Sequence, residues 1–385
     1  MVLRGRELGS QNRTMRRRVR ALRARLGVRR TRELLGVALL TSALAAGCGQ
    51  AAPQTVAPPR GLLPPPRVDC NRYAATQGSD SAPGSRMSPF QTPQRLADAL
   101  HPGQTGCFRG GTYTFSQMTV TTPITLAPYG DEAVTLKGTI KVIPGGAGST
   151  IEGMQLDGAG GTSDIGPRIY ADNVVVRNNE ITSEHTSICV SITAYYSNPP
   201  PQGVVIEHNR IHDCGALPST NKDHGIYVTN ARDTVIRDNW IYDNVDRGVQ
   251  LYPDAQHARV TGNVIDGNGE GVVFSGEASV TSNHNLVEGN VIADSKLGWN
   301  VYSGQTGPVA TGNLLRDNCL WAGESSPGYG SNGGVETPSR NFTANANVVA
   351  DPHYSDPAAG DYTLSSKSRC PLAKQLYRPA FAGPR

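Results

Sequence analysis

The stretch "STNKDHGIYVTN", residues 219–230, sets a lysine, an aspartate and a histidine side by side before a short apolar run. Lys222 and His224 are residue types that take a proton from a weakly acidic centre. Arg247, further along the chain, is of the type that neutralises the negative charge such a step creates. Hydrolysis of a glycosidic bond would instead require two opposed carboxylates, for which Asp223 and Asp246 are the candidates. Tyr227, Gln250 and Tyr252 are candidates for contact with a bound molecule. Against all of these stands a plain alternative, a solvated loop tip that binds nothing. Which holds depends on the elements that carry the residues.

Those elements are repeats. Six segments align on an Asn-x-Ile kernel: "VVVRNNEI", "VVIEHNRI", "TVIRDNWI", "ARVTGNVI", "NLVEGNVI" and "PVATGNLL". The shared asparagines are Asn179, Asn209, Asn239, Asn263, Asn290 and Asn313. An apolar residue stands three positions before each (Val176, Ile206, Ile236, Val260, Val287, Ala310) and another two after (Ile181, Ile211, Ile241, Ile265, Ile292, Leu315). The column between them is polar: Arg177, Glu207, Arg237, Thr261, Glu288 and Thr311. This is the inside/outside alternation of strands held in constant register. A second apolar run follows each of the first five kernels: "SICVSI", "HGIYV", "RGVQLY", "EGVVF" and "LGWNVY". With no helical stretch between them, each repeat reads as one coil of a parallel β-helix, stacked about 4.8 Å from the next. Stacked asparagines then form an amide ladder, which makes them structural.

Aligning the coils on Gly225, Gly248, Gly271 and Gly298 brings the charged residues before them to one corner. Tyr227, Gln250 and Asn300 then point outward beside that corner. The loop from Asp213 to His224, and "TAYYSNPPPQG" at 193–203, could wall a groove. Arg177, Glu207 and Arg237 alternate in sign and read as a cross-strand ion ladder. Asp213, Asp243, Asp294 and Asp317 each stand four residues after a kernel asparagine, as turn-capping carboxylates do. Calcium is the metal such an oxygen-rich column admits; no cofactor is otherwise indicated.

The formal net charge of +4 comes from one end of the chain. Arg4 to Arg32 supply twelve arginines against Glu7 and Glu33, which leaves the rest at about −6. That balance gives no reason to expect a nucleic-acid partner. The arginine-rich start runs into "LLGVALLTSALAAGC", an apolar stretch of signal-peptide length, too short for a membrane span. We divide the chain into a signal peptide (1–47), a Pro-rich tether (48–66), a solenoid domain (67–377) and a tail (378–385). Seven cysteines with Cys48 set aside leave six, a disulfide number for an oxidising compartment. Cys189 and Cys214 lie 25 residues apart, close to one coil, and suit a bridge between neighbours. Cys70 with Cys107 and Cys319 with Cys370 would then pin the two ends.

The repeats resemble the right-handed parallel β-helix proteins of the pectate-lyase-like superfamily. "GSDSAPGSRMSPFQTPQRLADALHPGQTGCFRGGTYT" looks like their N-terminal cap, with a short helix starting at Thr92 and Pro93, and "DPHYSDPAAGDYTLSSKSRC" is similar to their closing segment. "LAAGC" resembles a bacterial lipoprotein box in which Cys48 carries the lipid. The resemblance implies an all-β, single-stranded right-handed parallel β-helix with a short capping helix. It also implies an exported monomer, secreted or at the cell surface, touching the membrane only through its signal peptide or lipid. The partner would be a polysaccharide, acidic in type. The reaction it favours is β-elimination or C5-epimerisation of a uronate, with Lys222 or His224 as base and Arg247 on the carboxylate. A glycoside hydrolase, or a non-catalytic glycan-binding or structural protein of the cell envelope, are the other readings, since this fold carries many activities.

Overall fold

Short strands with an apolar residue turned inward at each step build a solenoid in a computed structural model of the chain. It describes residues 69–161, 166–304, 306–322 and 330–371. The arginine-rich start, the apolar stretch, Cys48 and the tether lie outside the described residues, as does the tail. The repeats form an all-β right-handed parallel β-helix. One face is an eleven-stranded parallel sheet running from Arg72–Ala74 to Thr343–Asn345. The other two faces belong to a single sixteen-stranded sheet. They are joined through the long strand Val134–Val142, which pairs with Gln155–Asp157 by one end and Arg168–Ile169 by the other.

The inward columns are closed to solvent. Val176, Ile206, Ile236, Val260, Val287 and Leu315 form one, and Ile181, Ile211, Ile241, Ile265 and Ile292 another, all fully buried. Burying such a side chain contributes roughly 1.5–3 kcal/mol, so six coils of it account for most of the driving force. The N-terminal opening is plugged by helix α1 (Pro93–Asp98). Thr92 caps it by accepting from the Arg95 N–H at 3.2 Å, Pro93 occupies the first turn, and Leu96 is buried against the first coils.

The amide ladder is present, with one correction. Asn179, Asn209, Asn239, Asn263, Asn290 and Asn318 each pass a hydrogen bond from Nδ2 to the next Oδ1, at 2.9–3.2 Å, and the series ends on Asn347. The sixth rung is therefore Asn318 and not Asn313. Strand pairing sets Val287 opposite Leu315 and Glu288 opposite Arg316, so the kernel of that coil is "LLRDNCL" rather than "PVATGNLL". Asn313 belongs to a parallel ladder, receiving from Asn285 at 3.0 Å. Asn244 and Asn268 make a further one at 2.8 Å. Both kernels read Asn-x-Leu, and a local pattern does not tell which corner an asparagine turns.

The polar column is an ion ladder: Glu152 pairs with Arg177 at 2.6 Å, Glu207 with Arg237 at 2.5 Å and Glu288 with Arg316 at 2.7 Å. Arg316 takes the place expected of Thr311. Asp213, Asp243 and Asp294 occupy left-handed turn positions at φ of 52–53°. A short side chain that bonds locally tolerates that conformation. Asp317 is also left-handed but turns the corner that Gly289 turns in the preceding coil, so it leaves the aspartate column. The bonds Cys70–Cys107, Cys189–Cys214 and Cys319–Cys370 are formed. Residues 354–356 and 361–364 make a small antiparallel hairpin, from which Tyr354 and Tyr362 lie on Trp240 and Tyr242.

Candidate functional site

Five strands carry the outward strip: β1 (Val190–Ile192), β2 (His224–Arg232), β3 (Arg247–Gln256), β4 (Glu270–Phe274) and β5 (Val301–Ser303). Their register sets Ser191, Tyr227, Gln250, Val273 and Tyr302 in one row on the side away from the core, where Tyr227 and Tyr302 are half-buried and Ser191, Gln250 and Val273 are covered. The row continues toward the N-terminus through Arg168 and Lys141. Aligning on Gly298 is two residues out of register. Val272 pairs with Val301, so Asn300 stands opposite Gly271; it is buried and donates to the carbonyls of Trp321 and Gly333 at 2.8 Å. Tyr302 takes the outward place expected of Asn300. The two-residue excess lies in the turn after Asp294, where spacing alone cannot locate it.

The lysine, aspartate and histidine do not share an environment. Lys222 is exposed at the tip of the loop. Asp223 is half-buried and turned back on its own loop, accepting from Thr220 Oγ1 at 3.0 Å and the Ala216 N–H at 3.3 Å. His224 begins β2 and is only 2% exposed. Burial, and then the charge of Arg247, push its pKa down to about 3, so the ring is neutral at ordinary pH. This corrects the solvated loop tip for His224, because its ring is covered by Tyr227, at 5.0 Å between ring centroids, and by Gln250 and Arg247 of the next coil.

Arg247 and Asp246 are also buried. The guanidinium is paired with Glu270 at 3.0 Å and donates to Tyr302 Oη at 2.9 Å and to the Asn221 carbonyl at 3.1 Å. Tyr302 Oη in turn donates to Glu270 Oε2 at 2.9 Å, which closes a triangle across three coils. Burial raises the pKa of Glu270 despite the arginine, and pushes Tyr302 up to about 12. Asp246 accepts from Ser219 Oγ and from the Asp223 N–H at 2.8 Å. Asp223 and Asp246 therefore each accept two hydrogen bonds from the 213–223 loop. Glu270 was within view of the sequence; Tyr302 was hidden by the register error.

Tyr227 and Tyr252 supply the open aromatic surface. Their rings lie nearly parallel, 12° apart, with centroids at 6.4 Å. Tyr252 follows the Val228–Leu251 pair, where the register between β2 and β3 shifts. Tyr252 donates to the Glu277 carboxylate on a two-strand flap, Gly276–Glu277 with Val280–Thr281. Gln250 is 8% exposed and lies against the His224 ring. At the far end Tyr170, Tyr195 and Tyr196 make edge-to-face contacts at 5.0 and 4.7 Å, with Arg168 over Tyr170 at 5.8 Å. The 193–203 segment thus brings Tyr195 against Tyr170, which follows β-strand residues Arg168–Ile169 of the row, and the 276–281 flap contacts Tyr252 through Glu277. Among the described residues no group of three or more His, Cys, Asp or Glu is arranged to hold a metal ion.

Residues 145–319 match the family model "Right handed beta helix region". No curated protein sequence matches the chain. Among solved structures it is similar to XylC in complex with xylose (12% identity, 73% of this chain and 70% of that one, TM-score 0.52). It is also similar to pectate lyase Pel9A (16% identity, 78% and 91%, TM-score 0.48) and to the A-module of mannuronan C-5 epimerase AlgE4 of Azotobacter vinelandii (15% identity, 64% and 87%, TM-score 0.40). At these identities the likeness is one of fold.

Proposed function

We propose that this is an exported β-helix protein that binds a polysaccharide along the row from Arg168 to Tyr302. The observation that carries the reading is the pair of nearly parallel rings, Tyr227 and Tyr252, the second held by Glu277. Fixed aromatic faces beside hydrogen-bonding side chains suit sugar rings, which present apolar C–H faces and polar edges. Arg168 and Lys141 in the same row favour an acidic chain. The three disulfides support export. Lipidation at Cys48, which would tether the protein to a membrane, is part of the same proposal.

The catalytic reading, a uronate lyase or C5-epimerase, draws support from one cluster, Arg247, Tyr302 and Glu270, where a carboxyl of raised pKa and a phenol share a cation. Lys222 is the accessible base beside it. The two-carboxylate hydrolase draws less support, since Asp246 is buried and both it and Asp223 accept from the 213–223 loop. The test is retention on immobilised acidic and neutral polysaccharides, with ultraviolet absorbance for unsaturated ends and reducing-end assay in parallel. Tyr227→Ala with Tyr252→Ala should weaken retention at least about tenfold, or 1.4 kcal/mol. Retention unchanged by the pair, or absent in wild type, removes the proposal. Unsaturated ends abolished by Lys222→Ala or Glu270→Gln would establish the lyase; the epimerase would instead be read as a changed uronate composition by NMR of the recovered polymer, abolished by the same variants.

A further inference from the structure

At the corner where the coils turn into β2, β3 and β4, partly lined by the 213–223 loop, lies a cleft of about 490 Å³ that shares no lining residue with the tyrosine row. Its charged lining is His185, Asp213, Asp243 and Lys296, and its apolar walls include Leu217 and Leu297. Those two leucines are 65% and 57% exposed, unusual for large aliphatic side chains facing each other across a depression. The volume falls within the range of small-molecule sites, which are mostly apolar with a few placed polar groups.

The polar groups are fixed before anything binds. Asp213 Oδ2 is held by His212 Nδ1 at 2.8 Å, and His212 Nε2 meets Glu180 Oε1 at 3.0 Å. The His212 ring is stacked on Tyr242 at 4.8 Å. Burial opposes charge on that imidazole, but the bonds to Asp213 and Glu180 prevail and its pKa is raised. His212, chiefly by its hydrogen bond, holds Asp213 below the usual carboxylate range. The other Asp213 oxygen faces His185 Nε2 at 3.3 Å. Asp243, at the equivalent left-handed turn of the next coil, is paired with Lys296 at 2.5 Å. Lys296 and the His185 ring therefore each already face a carboxylate, and a bound anion would meet the Asp213 and Asp243 carboxylates with no unengaged lysine in the cleft lining to receive it.

We propose that this corner cleft binds one neutral sugar unit, whose hydroxyls donate to the Asp213 and Asp243 carboxylates while its C–H face packs on Leu217 and Leu297. A carboxylate only accepts hydrogen bonds, so two of them beside apolar walls select a ligand with several hydroxyl donors on one edge and a hydrocarbon face. The site is separate from the tyrosine row and does not depend on that row binding glycan. A neutral side branch or chain end would enter it.

The test is a titration of the full chain, by ligand-observed NMR, with glucose, galactose, mannose, xylose, glucuronate, galacturonate and spermidine. With the tyrosine row removed by Tyr227→Ala and Tyr252→Ala, at least one of the four neutral sugars should still bind, and neither uronate should. In that background Leu297→Ser should weaken the neutral sugar about tenfold. Asp243→Asn should weaken it as well and, by releasing Lys296, bring measurable uronate binding. The proposal is overturned if none of the neutral sugars binds in that background, or if binding survives both cleft variants. Binding of spermidine in place of the sugars would make the cleft a cation site and overturn it too. Because glycan retention on the tyrosine row is read with Tyr227→Ala and Tyr252→Ala, either reading can fail alone.

Discussion

Two buried titratable residues set opposite demands on pH. The Asp266 carboxyl lies outward on its strand but is sealed beneath Tyr354 and Tyr362, with Asp243, Asp294 and Lys296 as further charged neighbours. Burial, then the charge of Asp294, push its pKa up to about 8 from an ordinary 3.8. Between about pH 4 and pH 8 the folded chain keeps a proton that the unfolded chain has released, so this residue makes stability fall as pH rises through that window. Asp266→Asn should remove that fall; urea midpoints of mutant and wild type that run parallel from pH 4 to 8 would contradict it. His224 acts in reverse. Its folded pKa of about 3 lies below the ordinary 6.5, so stability is lost as pH falls from about 6.5 toward 3. His224→Gln should flatten the acid limb of the same curve. Among the ladder residues, Asn239 donates to Asn263 at 3.0 Å and to the Ile206 carbonyl at 2.9 Å, and accepts from both nitrogens of Asn209. Asn239→Ala should cost about 3 kcal/mol, the upper end for leaving buried groups unpaired. Exposed Asn345→Ala is the control, and equal melting temperatures for the two would refute the ladder's role.

At the scale of elements, the 213–223 loop lines the corner cleft with Leu217, Pro218 and Ser219 and is pinned to its neighbours by Asp246 and Arg247. Asp246 receives Ser219 Oγ and the Asp223 N–H, and Arg247 reaches the Asn221 carbonyl. The loop therefore holds its shape through two buried charges from the next coil. Asp246→Ala should release it without melting the solenoid, because none of the inward columns is touched. Trypsin cleavage after exposed Lys222 reads this directly, and the rate should rise roughly tenfold, the effect of about 1.4 kcal/mol in local opening. A rate equal to wild type would mean that Arg247 suffices. The bridge Cys189–Cys214 sits where this loop begins. Cys214 offers its N–H to Asn244 Oδ1 at 3.1 Å, so the bridge stands at the end of the short Asn244–Asn268 ladder.

For the whole molecule, the solenoid is a sum of coil-to-coil interfaces, closed at one end by α1 and strapped along one face by the segment that ends at Cys370. Cys319→Ala with Cys370→Ala opens a covalent loop of 51 residues, worth about 4 kcal/mol in the chain-entropy account. The strap should then become susceptible to proteolysis near Lys367 and Arg369 while the coils stay intact; resistance equal to wild type would show that Tyr354 and Tyr362 hold it alone. The sequence by itself determined the coil. The inward columns, the asparagine ladder, the ion ladder and the aspartate turns all repeat at local spacing, and a period visible along the chain becomes a stack in space. It did not determine register where coil lengths change. Asn313 and Gly298 were misplaced because extra residues hid in turns, and with them went Arg316, Asn318 and Tyr302. Nor did it determine burial at the corner. His224, Asp246 and Arg247 are charged or polar types that read as surface, yet each is enclosed by residues from a neighbouring coil. The cleft between Leu217 and Leu297 joins residues from turns some 80 positions apart. Such contacts have no period for a sequence to display, so the packing of successive coils decided what each of these side chains can do.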